Sequence, residues 1–233
     1  MPIPCYLAMT AGEFFCADKL PRNIAWMACH YSCYGTGLSN LPDRLPEGSL
    51  IILNDRTPPC GHDAALITQQ LQQLYEELHP FGFLLDFQRA DLPENKEVAE
   101  AVSAALPCPV AVSELYAEDL SVPVFLPPPP LDMPLSKYIA PWHKRKIWLE
   151  IGLEATVFTI TEEGCTVLPG GLNPLPEPHF DAPDFYCRYH WELCGHKAIF
   201  TLQRTLDELR TLLETAQGID LAIGFYQQVG AEF

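Results

Sequence analysis

The sequence has few positive charges. Its 233 residues include 14 Lys and Arg against 30 Asp and Glu, which gives a formal net charge of −16. A protein of this sign repels the phosphates of nucleic acids and the head groups of anionic lipids. We therefore expect neither a nucleic acid nor a membrane as a partner.

Long apolar segments are also lacking. No stretch approaches the roughly 20 uninterrupted apolar residues that cross a bilayer, and residues 1–6 lack the basic start of a secretory signal. The nine cysteines are an odd number with irregular spacing, and Cys29 and Cys108 lie in apolar runs, where a free thiol behaves as a small hydrophobic group. We expect a cytoplasmic protein with reduced cysteines.

Apolar residues make up 48% of the chain, which is enough for a sizeable core. The 23 prolines concentrate in short stretches such as residues 57–59, 126–130 and 172–178, which indicates rigid loops. The sequence shows no internal repeat and no low-complexity tail. We predict a single domain over residues 1–233.

Three short apolar runs end abruptly in acidic or amide side chains, at residues 49–55, 82–89 and 109–114. The first two are followed by amphipathic helical patterns, which makes them βα units. In parallel βα architectures ligands bind at the carboxyl ends of the strands. A functional site is therefore expected at these strand ends.

The hydrophobic pattern predicts a series of parallel-type strands and, later, antiparallel hairpins. The parallel-type candidates are residues 6–9, 23–29, 50–53, 83–87, 109–112, 122–126, 147–150 and 221–226. Helices are predicted from Asp63 and from Glu94, and Thr205 with Glu208 forms a capping box for a third. Hairpin patterns occupy residues 156–168 and 186–203. We predict an α/β fold, a compact or partial (β/α)8 (TIM-like) barrel with antiparallel β-hairpins at about residues 155–203.

Asp86 and Gln88 lie two apart on one predicted strand, so both point to the same face. At the mouth of a barrel they would bind an amide or a hydroxyl of a ligand. The alternative is a polar layer that hydrogen-bonds Arg89 or neighbouring strands.

Asp55 and Glu114 are strand-end carboxylates from other units. If they lie roughly 5 to 9 Å apart they have the separation of a glycosidase pair; ordinary salt bridges to Arg56 or Arg89 are the alternative. Glu150 and Glu154 extend the same acidic rim. The predicted site residues are Glu114, Asp55 and Asp86 for catalysis, and Gln88, Tyr226, Glu150 and Tyr31 for ligand binding.

Residues 82–88 resemble the fourth-strand signature of the chitinase-like glycoside hydrolases of family eighteen: a glycine, apolar residues, then aspartate, an aromatic residue and a catalytic glutamate. Residues 198–226 resemble the hairpin, helix and final strand with which that family ends. The resemblance implies a barrel whose mouth binds a glycan or another polar small molecule, with Tyr226 as its aromatic floor. Gln88 stands at the position of the proton-donating glutamate, and an amide cannot protonate a leaving group.

Two functions therefore stay open. In one, Glu114 with Asp55 supplies the acid and the base of a glycosidase-like enzyme. In the other, the protein is a non-catalytic binding or interaction protein on the same scaffold.

Other side chains have the chemistry of metal sites or nucleophiles. Cys187, His190, Cys194 and His196 are zinc-capable types, but a turn at Cys194 separates them. A metal hydrolase would use His30 or His62, and a cysteine nucleophile would lie in residues 29–33 or 60–63. None of these spacings is specific, and we predict no metal and no cofactor.

Overall fold

The computed structural model describes residues 3–16, 23–57, 61 and 63–229. The strands in this part of the chain are β1 (Cys5–Met9), β2 (Ile24–Tyr31), β3 (Leu38–Ser39), β4 (Leu50–Asn54), β5 (Gly82–Asp86), β6 (Val110–Ser113), β7 (Val124–Leu126), β8 (Ile147–Ile151), β9 (Ala155–Thr161), β10 (Gly164–Gly171), β11 (Phe180–Ala182), β12 (Cys187–Cys194), β13 (Lys197–Gln203) and β14 (Leu221–Phe225). The α-helices are α1 (Ala11–Cys16), α2 (Ala64–Leu78), α3 (Glu94–Ala105), α4 (Glu114–Ala117), α5 (Leu135–Ile139), α6 (Leu206–Thr215) and α7 (Tyr226–Val229). None of these helices is long and apolar enough to cross a membrane.

Eight parallel strands close into a barrel. Their order is β1, β2, β4, β5, β6, β7, β8 and β14, and β14 pairs with β1 to complete the ring. The short strand β3 adds to β2 in antiparallel fashion outside this ring. The TIM-like barrel predicted from the sequence is confirmed, and the ring is complete rather than partial.

Side chains alternate between the inside and the outside of the barrel. Leu84, Phe125 and Trp148 belong to the cluster that fills the interior, whereas Phe83 and Leu85 pack outward in the larger cluster shared with the helices. Because large side chains fill the middle of the barrel, space for a ligand is left only at its ends.

The helix that follows β4 forms where the sequence predicts it. The Asp63 side chain caps α2 by accepting a hydrogen bond from the Leu66 N–H at 3.0 Å. Ile67, Leu71 and Leu74 are buried on the face that packs on the barrel. This helix therefore fixes β4 and the residues at its carboxyl end.

Gly82 begins β5 at a point where two strands approach closely. A Cβ atom at this position would lie 2.5 Å from the carbonyl oxygen of Pro109. The glycine of the predicted fourth-strand motif therefore has a packing role at the foot of the strand.

A five-stranded antiparallel sheet is inserted between β8 and β14, in the order β10, β9, β13, β12, β11. The cross-strand pairs align Val167, Phe158, Phe200 and Trp191 in one row on one face. Trp191 is 45% exposed and its ring stacks on Phe200. The predicted hairpins are thus parts of one sheet with an exposed apolar face.

Candidate functional site at the barrel mouth

A cavity of about 560 Å³ opens at the carboxyl ends of the barrel strands. The side chains at its base come from five different strands or strand ends: Met27, Asn54, Asp86, Glu150 and Phe225. Parallel strands present such residues at one end of a barrel, and this is where ligands bind in barrels of this kind. A larger hollow of about 780 Å³ lies on the outer surface between α5 and the end of α6, away from the strand ends.

The loops that follow the strands complete the wall of the mouth cavity. They contribute Asp55, Arg56, Gln88, Arg89, Pro127 and Pro128, and α7 contributes Gln227. The carbonyl oxygen of Pro127 accepts a hydrogen bond from the Tyr138 hydroxyl at 3.0 Å, which ties this loop to α5.

Asp86 and Gln88 both line the cavity, and the Gln88 amide donates a hydrogen bond from Nε2 to Oδ1 of Asp86. The amide orientation is therefore set by the carboxylate, which leaves the Gln88 carbonyl oxygen to accept from a ligand. Both residues line one cavity, but β5 ends at Asp86, so Gln88 lies in the following loop and not on the strand as the sequence predicted.

Asp55 also lines the cavity, but protein donors already bond both of its carboxylate oxygens. Oδ1 accepts the Gln88 N–H at 3.1 Å, and Oδ2 accepts the Arg89 N–H at 2.9 Å and the Asn95 Nδ2 at 2.9 Å. Asp55 is 2% exposed. Because protein donors take both of its oxygens, Asp55 is suited to positioning the loop that carries Gln88.

Three acids line the cavity, Asp55, Asp86 and Glu150, and the last two have raised pKa values. Burial and then the nearby charge of Asp86 raise the pKa of Glu150 to about 8. The pKa of Asp86 is also raised, mainly by burial, although the hydrogen bond from Gln88 opposes this. Two carboxyl groups in one site whose pKa values are raised favour a state in which one is protonated at neutral pH.

Three of the residues predicted for the site lie elsewhere. Glu114 begins α4 and is not among the residues that line the mouth cavity, although burial, and then its charge and that of Glu150, raise the pKa of Tyr138. Tyr31 is 1% exposed in the outer core and its hydroxyl donates to Oδ1 of Asn95 at 2.6 Å. Neither side chain lines the mouth cavity.

Tyr226 does not point into the barrel, because the inward-facing aromatic residue at the end of β14 is the one before it, Phe225. It starts α7 and packs against the outer core, whereas Phe225 packs against the interior cluster and lines the cavity. The aromatic residue at the floor of the mouth is therefore Phe225. The period-2 alternation from Leu221 and Ile223 through Phe225 was the sequence signal that identifies it.

Asn95 is a further contributor that sequence reasoning missed. It is fully buried in the first turn of α3 and joins the Tyr31 hydroxyl to the Asp55 carboxylate. A buried amide on a helix face has no distinctive sequence signal, because its partners come from distant parts of the chain.

The residues with metal-site or nucleophile chemistry do not form a second centre in the part of the chain described. Among these residues no group of three or more His, Cys, Asp or Glu side chains is arranged to hold a metal ion. Cys29 is fully buried and its pKa is raised to about 12, the opposite of the shift that activates a thiol. His30 lies on β2, and Cys60 and His62 are outside the described residues.

Known structures share this fold. The chain matches the spore cortex-lytic enzyme SleL of Bacillus cereus with a TM-score of 0.57 and 8% identity, over 97% of this chain and 71% of that one. The SleL of Bacillus megaterium matches with a TM-score of 0.51 and 7% identity, over 97% and 70%. A doubly substituted GH18 chitinase from Cycas revoluta in complex with (GlcNAc)4 matches with a TM-score of 0.57 and 10% identity, over 96% and 94%.

The chain has the fold of the chitinase-like glycoside hydrolases of family eighteen. The resemblance inferred from residues 82–88 and 198–226 is confirmed at this level. No protein-family model matches the sequence, and no curated protein matches it.

Proposed function

We propose that this protein binds a glycan at the mouth of its barrel and that the Asp86–Gln88 pair orients the sugar. The observation that supports the proposal is the cavity at the strand ends, which is lined by Asp86, Gln88, Glu150 and the aromatic Phe225. A site of this kind combines a few polar groups with an apolar surface, as sugar rings require. The structurally similar Cycas revoluta chitinase is in complex with (GlcNAc)4, which supports the same class of ligand.

The space beside the mouth cavity is large enough for an oligosaccharide of more than one sugar. A second cavity of about 420 Å³ adjoins the first and shares Pro128 and Glu150 with it. Its far wall includes Val167, which belongs to the exposed apolar face of the antiparallel sheet. An oligosaccharide that leaves the mouth in this direction meets apolar surface on which its rings can pack.

Hydrolysis by the family mechanism requires a proton donor at position 88, and Gln88 carries no acidic proton. Binding without turnover is therefore the function we propose for the wild-type chain. The matching experiment is isothermal titration calorimetry with (GlcNAc)4, together with a chitooligosaccharide hydrolysis assay on the same samples. We expect measurable binding and no hydrolysis.

Gln88→Glu is the informative variant, because it restores a carboxyl group in nearly the same volume. We expect it to gain hydrolysis of chitooligosaccharides. Gln227→Glu is the matched control, since it adds the same charge to the same cavity from α7, and it should remain inactive. A wild-type protein that does not bind (GlcNAc)4 would remove this ligand class from the proposal.

A second candidate function is hydrolysis with Glu150 as the acid. The observation that favours it is the raised pKa of Glu150, about 8, beside Asp86 in the same cavity. In that case wild-type protein would hydrolyse chitooligosaccharides, and Glu150→Gln would abolish the activity while Gln88→Met would not. Silence of the wild-type protein in the hydrolysis assay rejects this candidate and leaves the binding function.

A further inference from the structure

The second cavity contains a buried cation. Arg204 follows β13 and is 5% exposed in the wall that faces Glu150. Its Nη1 donates to the carbonyl oxygen of Pro129 at 3.1 Å, and its Nη2 donates to that of Phe185 at 3.2 Å. Its Nε–H is buried and has no partner. A guanidinium has five N–H donors, so the carbonyl oxygens satisfy only part of its capacity.

Arg204 also lacks a neutralising carboxylate within ion-pair distance among the residues that the structure describes. The acid whose charge reaches it is Glu208, but the Glu208 carboxylate bonds Nε of Arg188 at 2.7 Å and the Thr205 N–H at 2.7 Å. Burial lowers the pKa of Arg204 to about 10. A buried charge that is only partly compensated is costly, and an anion bound beside it would lower that cost.

Glu150 and Glu154 both line this second cavity, and they have different effects on the binding of an anion. Glu150 has its pKa raised to about 8, so it is mostly protonated at neutral pH and can donate a hydrogen bond. Glu154 is exposed at the cavity rim. Its solvated charge opposes an anion, but solvent and salt screen it more strongly than they screen buried Arg204.

We propose that the cavity between residues 128–131 and the antiparallel sheet binds the carboxylate of an acidic sugar through Arg204, beside a sugar held at the barrel mouth. The proposal rests on the proposed glycan-binding function and narrows it to glycans that contain a uronic acid or a similar carboxylated residue. A planar carboxylate matches the geometry of a guanidinium, and charge-assisted hydrogen bonds of this kind are stronger than neutral ones. A neutral glycan leaves the Arg204 charge uncompensated.

The test uses a pair of ligands that differ only in charge: the hyaluronan tetrasaccharide and the same tetrasaccharide with its carboxyl groups reduced to alcohols. Calorimetric titrations at pH 7 and low salt should show the acidic form binding about tenfold more tightly, the order expected for one charge-assisted contact. Added salt should reduce the difference. Titration with (GlcNAc)4 tests the mouth independently of Arg204.

Three variants identify the group responsible. Arg204→Met should abolish the preference for the acidic form. Arg188→Met is the matched control, since Arg188 lies on the same sheet but is already paired with Glu208, and it should keep the preference. Glu154→Gln removes the opposing charge from an exposed position and should strengthen binding of the acidic form by about two- to threefold without affecting the reduced form. If Arg204→Met does not fold, the Glu154→Gln variant still tests whether the carboxylate binds in this cavity.

The possible results separate this inference from the proposed function. Binding of (GlcNAc)4 or of the reduced tetrasaccharide, with no preference for the acidic form, overturns the carboxylate site and leaves glycan binding intact. A preference that survives in Arg204→Met, or that Glu154→Gln does not increase, also overturns it. Failure of all three ligands to bind overturns the inference together with the glycan-binding function.

Discussion

The carboxylate of Asp55 holds the backbone of Gln88: its Oδ1 accepts the Gln88 N–H at 3.1 Å, across 33 positions of sequence. Its other oxygen accepts the next N–H, that of Arg89, and the side-chain amide of Asn95. The residue at the end of β4 therefore positions the loop after β5. The side chain of Gln88 is left to bond Asp86 inside the mouth cavity.

Asn95→Ala should destabilise the fold, because it removes the buried oxygen to which the Tyr31 hydroxyl donates and one donor from Asp55. We expect a loss of about 1–3 kcal/mol in the free energy of unfolding, the usual cost of unsatisfied buried polar groups. Urea denaturation followed by fluorescence measures it. Lys96→Ala is the neighbouring control, and we expect little loss from it because solvent screens its exposed ion pair with Asp119. Equal losses in the two variants would contradict the structural role of Asn95.

The fold was predictable because each element carries a local signal. The alternation of apolar residues located the barrel strands, and Asp63 and Thr205 located the starts of α2 and α6, where the structure shows the expected capping bonds. The inserted sheet was visible as two hairpins. What the local pattern does not contain is the pairing that joins β9 to β13 and so merges the hairpins.

The site was only partly predictable from the sequence, because only the residues on strands have directions that a local pattern fixes. Asp86 and Glu150 reach one cavity because strand position and alternation fix which way they point, whereas Gln88 reaches it from the loop after β5. The position of Glu114 and the burial of Tyr31 depend on how loops and helices close over the strands. The role of Asn95 depends on partners 40 and 64 positions away, which no sequence window contains.

Gly82→Ala is expected to strain the contact between β5 and β6. The added Cβ would lie 2.5 Å from the carbonyl oxygen of Pro109, a backbone atom that cannot move without shifting a strand. We expect a loss of about 2–3 kcal/mol in the free energy of unfolding, as in other overpacked cores. Thermal denaturation measures it, and Gly12→Ala, at a position with open space, is the control. A Gly82→Ala protein as stable as the control would show that the strands separate easily at this point.

The cysteines should divide sharply in their reactivity towards iodoacetamide. Cys29 and Cys187 are buried, and burial raises the pKa of Cys29 to about 12 and that of Cys187 to about 11. Cys16, Cys165 and Cys194 are exposed. We expect the exposed group to be alkylated in native protein at pH 8 and the buried pair only after unfolding, because the thiolate is the reactive form. Peptide mass spectrometry reads each site, and rapid native labelling of Cys29 would contradict its place in the outer core.

The raised pKa of Glu150 predicts how stability depends on pH. In the unfolded chain this carboxyl group has its ordinary pKa of 4.5, and in the folded protein the pKa is about 8. Between these values the folded state binds more protons than the unfolded state, so stability falls as pH rises. The contribution of the protonated group is fully present below the unfolded pKa and is lost as pH rises through about 8.

Glu150→Gln keeps the neutral form at every pH and should remove this dependence. Relative to wild type, the variant should be nearly unchanged near pH 4 and more stable by about 2 kcal/mol near pH 9, less than the full shift implies because solvent reaches the cavity. Denaturant unfolding at the two pH values measures the difference. Glu162→Gln, in the exposed turn between β9 and β10, changes the net charge equally and should show no such trend. If the two variants respond alike, the proton on Glu150 is not held by the mouth cavity, and the case for Glu150 as an acid at neutral pH fails with it.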